Sequence, residues 1–227
     1  MHGRVVRHTG GMADTPSPQT RSVKIADDER GGWSSDRPRR DGAAPSARPR
    51  DISVRCRVLQ PAFRLRYTPG SLLLIASGST EQAEQFANRV LEEKNAMLSL
   101  AKVRRLLAGK VSGEELEAKA AQLLDAAITK RLQAGESTVV VLDTVGAEER
   151  EPLVRAAANL RRPRHIILLE APRDAISDED RPVLNELRKA LDAGDLGSEG
   201  IQTALRLGGA TISDTKKIVF RPPPADD

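Results

Sequence analysis

Ser77, Gly78, Ser79 and Thr80 stand between an apolar run, Leu72 to Ala76, and a helical pattern that puts Phe86 and Val90 on one face. Hydroxyls and a glycine at a strand-to-helix junction can make an anion site. The backbone N–H groups of a helix start point at the ligand, and glycine lets the backbone come close. Full phosphate-loop chemistry also needs a lysine against the phosphate charge and a Ser or Thr hydroxyl for Mg²⁺. No lysine lies between Ser71 and Asn88, and Gly78 is the only glycine there. The stretch keeps the local shape and lacks the charge chemistry.

Other reactive residue types are sparse. Asp143 closes the run Thr138 to Leu142, where a carboxylate could hold Mg²⁺ through water or simply end a strand and cap a helix. Arg104, Arg173 and Arg181 are candidate phosphate contacts around the same cleft. The cluster Arg161-Arg162-Pro163-Arg164 is either a phosphate or nucleic-acid contact or a solvated loop. His165 follows it; His2 and His8 lie near the N-terminus, so a Ser-His-Asp triad would have to use His165. The single cysteine, Cys56, excludes an intramolecular disulfide and a cysteine metal cluster.

Composition limits the function classes. The 227 residues are 39% hydrophobic and only 2% aromatic, so a core must come from Leu, Val, Ile and Ala. The net charge of +4 is uneven: Met1 to Thr68 holds 14 Arg and Lys against 7 Asp and Glu, and the remainder 22 against 25. Basic character thus belongs to the N-terminal third and does not mark the whole chain as a nucleic-acid binder. The longest apolar run falls far short of the roughly 20 residues that span a bilayer. No signal-peptide region is evident, and Asp14, Asp27, Asp28 and Glu29 argue against a transit peptide, so a cytoplasmic protein away from the membrane is expected.

Residues 1–61 carry no sustained period and are rich in Arg, Pro, Gly, Ser and Asp, which predicts a disordered basic arm. Arg37 to Arg40 and Arg48 to Arg50 are its densest positive points, an electrostatic handle for nucleic acid or an acidic partner, or else a solvated tail; Met12 is an alternative start. A folded domain is expected over 62–222, with a frayed tail at 223–227. Ile52 to Tyr67 alternates and reads as a strand pair or an added edge strand. Strands follow at Leu72–Ser77, Ala96–Leu100, Thr138–Leu142, His165–Glu170 and Lys217–Phe220. Helices are expected from Ser79 to about Glu93, over Ala101–Leu107, from Ser112 to Gly135, over Glu148–Leu160, from Arg181 to about Ala193, and over Glu199–Leu207. Ser79-Thr80-Glu81-Gln82 and Ser112-Gly113-Glu114-Glu115 read as capping boxes. The alternation implies an α/β fold: a doubly wound, parallel, five-stranded sheet with helices on both faces. Its cleft would lie at the carboxyl ends of the strands, at Ser77 to Thr80, Leu100-Ala101, Asp143 to Gly146 and Ala171 to Asp174.

From LLLIASGS through LSLAKVRRLLAGK, RLQAGESTVVVLD, GAEERE and HIILLEAPRD to KKIVFRP, the order of pieces resembles P-loop kinases of the polynucleotide kinase and zeta-toxin type. The similarity spans roughly Gly70 to Pro224 and rests on order and spacing. Set against Phe86-Ala87, the resemblance implies that the loop lysine is replaced by Ala83 and the metal-binding hydroxyl by Glu84. It places the proton-accepting aspartate at Ala101, keeps Arg104, and leaves only Arg173 and Arg181 of an arginine-rich lid. Glu81 and Glu84 would then put carboxylates where phosphate oxygens sit, a repulsion of roughly 4 kcal/mol per close pair at an effective dielectric near 20.

These readings together predict a catalytically inactive kinase-like domain that serves as a binding or scaffold subunit for a protein partner, with no catalytic residues and no bound metal. The alternative is a residual nucleotide- or nucleic-acid-binding protein in which Ser77, Gly78, Ser79, Thr80, Arg104, Asp143, Arg173 and Arg181 form a vestigial phosphate cleft. ATP with Mg²⁺ would bind weakly at best, and a working enzyme would be an ATP-dependent phosphotransferase.

Overall fold

The computed structural model describes residues 50–222. The expected arm up to residue 49, with Trp33 and the arginines from Arg37 to Arg48, and the tail at 223–227 lie outside them. The elements run β1 (Arg57–Leu59), β2 (Arg64–Tyr67), β3 (Leu72–Ser77), α1 (Thr80–Val90), β4 (Met97–Ser99), α2 (Leu100–Leu107) and α3 (Gly113–Ala134). They continue β5 (Thr138–Val141), α4 (Ala147–Asn159), β6 (Arg164–Leu169), α5 (Asp180–Ala193), β7 (Thr203–Leu207), α6 (Ala210–Asp214) and β8 (Lys217–Phe220).

The chain is an α/β protein with a parallel central sheet in the order β1-β7-β6-β3-β5-β4. Every residue of β3 is buried, as a strand covered on both faces requires. Its side chains alternate: Leu72, Leu74 and Ala76 enter one core with Leu132, Val154 and Leu184 of the helices α3, α4 and α5. Leu73 and Ile75 enter a second core with Phe86 and Val90 of α1. Full burial of each such side chain contributes about 1.5–3 kcal/mol. Because α1 leaves β3 on one face and α4 and α5 pack on the other, the connections diverge at the carboxyl end of β3, where such sheets hold ligands.

Several expectations change. The sheet has six strands where five are expected; the sixth is β1, which takes the edge position that one reading of Ile52 to Tyr67 gives it and pairs with β7. Lys217–Phe220 does not join it; β8 pairs with β2 in a separate two-stranded sheet that closes the α1 core. The stretch expected as a helix over Glu199–Leu207 ends instead in the strand β7, paired in parallel with β6. Its five residues lie between Gly200 (φ +95°) and Gly208, and Ala204, Leu205 and Leu207 are buried on both faces. Ala and Leu favour helices, but two-sided burial in the sheet outweighs that preference.

The domain also starts earlier than residue 62. Val54 N donates to Gly197 O at 2.9 Å, and a Cβ on Gly197 would sit 2.1 Å from Val54 O, so glycine admits the extended segment there. Ile52 and Cys56 pack on the larger core, which supplies the apolar burial that the segment lacks by itself.

The long helix α3 ends as expected at Gly135, which is left-handed (φ +75°). The sequence puts Leu116, Ala120, Leu123, Leu124, Ala127, Ile128 and Leu132 on one stripe; the buried part is Ala120, Leu124, Ile128 and Leu132, whereas Leu123 is 49% exposed. The capping box at Ser112 does not form; Ser112 makes no side-chain cap bond and Glu115 pairs with Lys119 along the helix.

Candidate functional site

Only Gly78 and Ser79 connect β3 to α1. Ser79 caps the helix, its hydroxyl accepting from Gln82 N at 3.4 Å, while Ser79 N donates to Ser77 Oγ at 3.2 Å. Gln82 does not close a reciprocal box. Its carbonyl accepts from Ser77 Oγ at 3.4 Å, and its amide nitrogen donates to Glu170 O at 3.5 Å. Thr80 Oγ1 donates to Asp143 O at 3.3 Å. The junction's two serine hydroxyls thus take the N–H groups of Ser79 and Gln82. Above it lies Ile176, 6% exposed, with its Cγ1 2.8 Å from where a Gly78 Cβ would be.

The two positions aligned with the loop lysine and hydroxyl turn away from this junction. Ala83 is fully buried in the α1 core. Glu84 is 8% exposed; it accepts from Ser99 Oγ, and from Arg105 Nη2 at 3.0 Å. Glu81 is exposed and accepts from Gln85 Nε2 at 3.0 Å. The expectation that Glu81 and Glu84 fill the phosphate position is thus corrected: helical phase directs Glu84 to the end of β4 and Glu81 to solvent.

A different carboxylate fills a backbone anion pocket. Glu149 accepts from Asp143 N at 2.8 Å, Thr144 N at 2.6 Å and Thr144 Oγ1 at 2.8 Å. Sequence reasoning missed it; the available signal was an acidic residue in the first turn of α4. Arg150 beside it is buried, gripping Glu199 through Nε at 2.6 Å and Nη2 at 2.8 Å and donating from Nη1 to Val145 O at 2.9 Å. That fixes the loop after β5.

Arg104 and Asp143 are brought together. Arg104 Nη2 lies 3.2 Å from Asp143 Oδ2 and 2.7 Å from Glu117 Oε2. Hydrogen bonding to Glu117, opposed by partial burial and then aided by Asp143, holds the guanidinium above its ordinary range. With two carboxylates on it, Arg104 is a bridge among α2, α3 and the end of β5. Ala101, aligned with the proton acceptor, sits half-buried in the first turn of α2, which Ser99 caps by accepting from Lys102 N at 3.1 Å.

Arg173 and Arg181 fall in a separate pocket of about 350 Å³, together with Arg188, Asn185, Ala171 and Ile176. Arg181 pairs with Asp178 and donates to the Arg173 carbonyl at 3.4 Å. Arg188 donates from Nε to both oxygens of Glu170, at 2.9 and 3.1 Å. Burial pushes the Glu170 carboxyl up, but Arg188 and Arg206 together outweigh it and hold the group below its usual range. Among the described residues, no carboxylate pairs with Arg173. Arg188 was not foreseen, though Arg181, Asn185 and Arg188 share a helix face at i, i+4 and i+7. Ile176 joins the two groups of residues, touching Gly78 and lining the arginine pocket.

The Arg161–Arg164 cluster is not a shared surface. Arg162 Nε donates to Leu132 O at 3.0 Å at the end of α3, and buried Arg164 donates to Gly200 O at 2.6 Å. His165 is buried at the amino end of β6, with Nδ1 2.8 Å from Thr203 Oγ1 and Nε2 3.3 Å from Ser71 Oγ. Burial, then the Arg164 charge, lowers its pKa to about 4. No carboxylate bonds to it among the described residues, so these contacts form no triad. Burial also pushes the half-buried Cys56 thiol up.

Among the described residues no group of three or more His, Cys, Asp or Glu could hold a metal ion, and no helix is long and apolar enough to cross a membrane. Compared with protein-family models and with curated protein sequences, the chain matches none of either.

Proposed function

We propose that this domain is a catalytically silent, P-loop-kinase-like module that works by binding. The observation that carries this reading is the junction after β3: only two residues long, without a lysine, and covered by Ile176. A phosphate-binding loop needs several free backbone N–H groups and a lysine at the helix start. Here α1 opens Thr80-Glu81-Gln82 and its next residue, Ala83, faces the core. The residues present do not fit Mg²⁺-ATP in that manner. Phosphoryl transfer rests on positioning and charge stabilisation, and Arg104, which the resemblance keeps beside the missing proton acceptor, is already paired with Asp143 and Glu117.

The test is calorimetric titration with ATP and GTP, with and without Mg²⁺. The expected result is no saturable binding below about 1 mM, an affinity of roughly −4 kcal/mol. Tight, Mg²⁺-dependent binding would overturn the reading.

The arginine pocket supports a second reading, residual phosphate binding. Arg173 carries the only guanidinium of its three without a carboxylate partner among the described residues. Titrating inorganic phosphate against the protein and Arg173→Ala would test it, with loss of binding in the variant expected.

A further inference from the structure

The larger core reaches the surface between α3 and α4. Leu124 and Leu153, at 8% and 9% exposure, are the least buried members of that core. They line a groove between α3 and α4, floored by Ile128 and Val140, with a volume of about 390 Å³. An adjoining hollow of about 320 Å³ shares Leu124, Asp125 and Glu149 with it and runs on to the carboxyl end of β5. The two together make one channel along two helices, bordered by the small side chains Ala121 and Ala156.

The rim has one sign of charge. Asp125, Glu148 and Glu149 line it, and among the described residues none of the three pairs with a lysine or arginine. Glu149 is satisfied by neutral N–H and hydroxyl donors, so its charge is held in place without being neutralised. No basic residue lines either part of the groove. Pro152 within α4 has no N–H, so the Glu148 carbonyl lacks its helical donor and adds another acceptor at the rim. An apolar floor inside an acidic border suits an apolar side chain flanked by cations.

We infer that the α3–α4 groove docks a basic amphipathic helix of a protein partner, with aliphatic side chains over Leu124 and Leu153 and lysines or arginines at Asp125 and Glu148. Helices seat in apolar grooves through anchors at i, i+3 and i+4, and opposite charge at the rim sets orientation and on-rate. The inference deepens the reading that this domain binds rather than turns over substrate. Nucleotide binding would sink that reading and leave this one standing.

The experiment is fluorescence anisotropy on the full chain with a labelled peptide of Leu and Lys, its Leu residues at helical spacing. A Leu/Glu peptide of the same pattern and a Ser/Lys peptide are the comparisons. Saturable binding of the Leu/Lys peptide alone is expected. Asp125→Lys with Glu148→Lys should weaken it about tenfold or more, while Glu114→Lys with Glu179→Lys, an equal change in net charge on exposed positions, should leave it within about twofold. Ala121→Trp, at an exposed position, fills the groove mouth and should also weaken binding; it decides the matter if the charge-reversed pair does not fold. Hydrogen exchange should slow in α3 and α4 when the peptide is bound. Absence of binding, equal binding of the Leu/Glu or Ser/Lys peptide, or equal effects of the two double variants would each overturn the inference.

Discussion

Ile176 closes over Gly78: a Cβ on that glycine would stand 2.8 Å from Ile176 Cγ1 and 3.5 Å from Cγ2 and Cδ1. Ile is stiff at χ1 and 6% exposed, so it has little room to yield. Gly78→Ala should therefore destabilise the fold by about 1–3 kcal/mol through overpacking. Ile176→Ala in the same chain should recover part of that loss. Denaturant melts of both single variants and the double variant measure the coupling, and simple additivity would refute the contact.

Ala83 faces the α1 core with no exposed surface. A lysine placed there meets a hydrophobic wall, not a phosphate. Ala83→Lys should cost at least about 2–3 kcal/mol from burying a charge and overfilling the core. Nucleotide affinity should not rise. Thermal unfolding and ATP titration of the variant check both statements.

His165 makes stability depend on pH. Its folded pKa is lowered from 6.5 to about 4, so it is neutral in the fold and takes up a proton on unfolding. Between those values the unfolded chain binds more protons, so this contribution is fully present above about pH 6.5 and is lost as pH falls through about 4. The span corresponds to about 3 kcal/mol as an order of magnitude. His165→Gln should flatten the slope of unfolding free energy in that window. An unchanged slope would place the dependence elsewhere.

Arg150 is the most deeply buried arginine in an ion pair, its side chain 6% exposed against 25% for Glu199. Arg150→Ala leaves Glu199 and the Val145 carbonyl without their donor and should cost about 3–5 kcal/mol. The loop at 143–146 depends on the same grip, so amide exchange there should speed up. A loss under about 1 kcal/mol would show that water replaces the guanidinium.

Tyr67 is 4% exposed and its hydroxyl has no hydrogen-bond partner among the described residues, while its ring lies 4.7 Å from that of His165. Tyr67→Phe removes a buried polar group that nothing satisfies. The variant should equal the parent or exceed it by about 1 kcal/mol. A marked loss of stability would reveal a bond to water.

Most of the sheet was legible because buried parallel strands are apolar on both faces: LLLIAS, TVVV and HIILL announce themselves within one short window each. Helix α1 was equally plain, from Ser79 as its cap to Phe86 and Val90 on one face, though the resemblance sets Ala83, on that same face, against the phosphate. The failures came where the residues carry weak local preference. TALRL reads as a helix until β6 supplies its ladder, and Ile52 to Cys56 reads as tail until Gly197 and the larger core receive it.

The candidate site was legible as a set of positions and not as a set of contacts. Ser77 to Thr80, Arg104 and Asp143 do gather at the strand ends, linked through Asp143. Arg173 and Arg181 gather beside them with Arg188. Which charge answers which was not in the local pattern. Glu84 and Glu149 stand at similar depths in their helices, yet one turns to Ser99 and Arg105 and the other to the backbone of Asp143 and Thr144.

By itself the amino-acid order determined the α/β class, the central strand β3, the helices α1 and α3 and the absence of a lysine between Ser71 and Asn88. Each follows from period, composition and residues within one turn of each other. Only the tertiary structure decided that Ile176 seals Gly78, that β8 leaves the main sheet for β2, and that α3 and α4 stand apart over an acidic-rimmed groove. Those outcomes join residues up to about a hundred and fifty positions apart, and their sign depends on how whole elements pack.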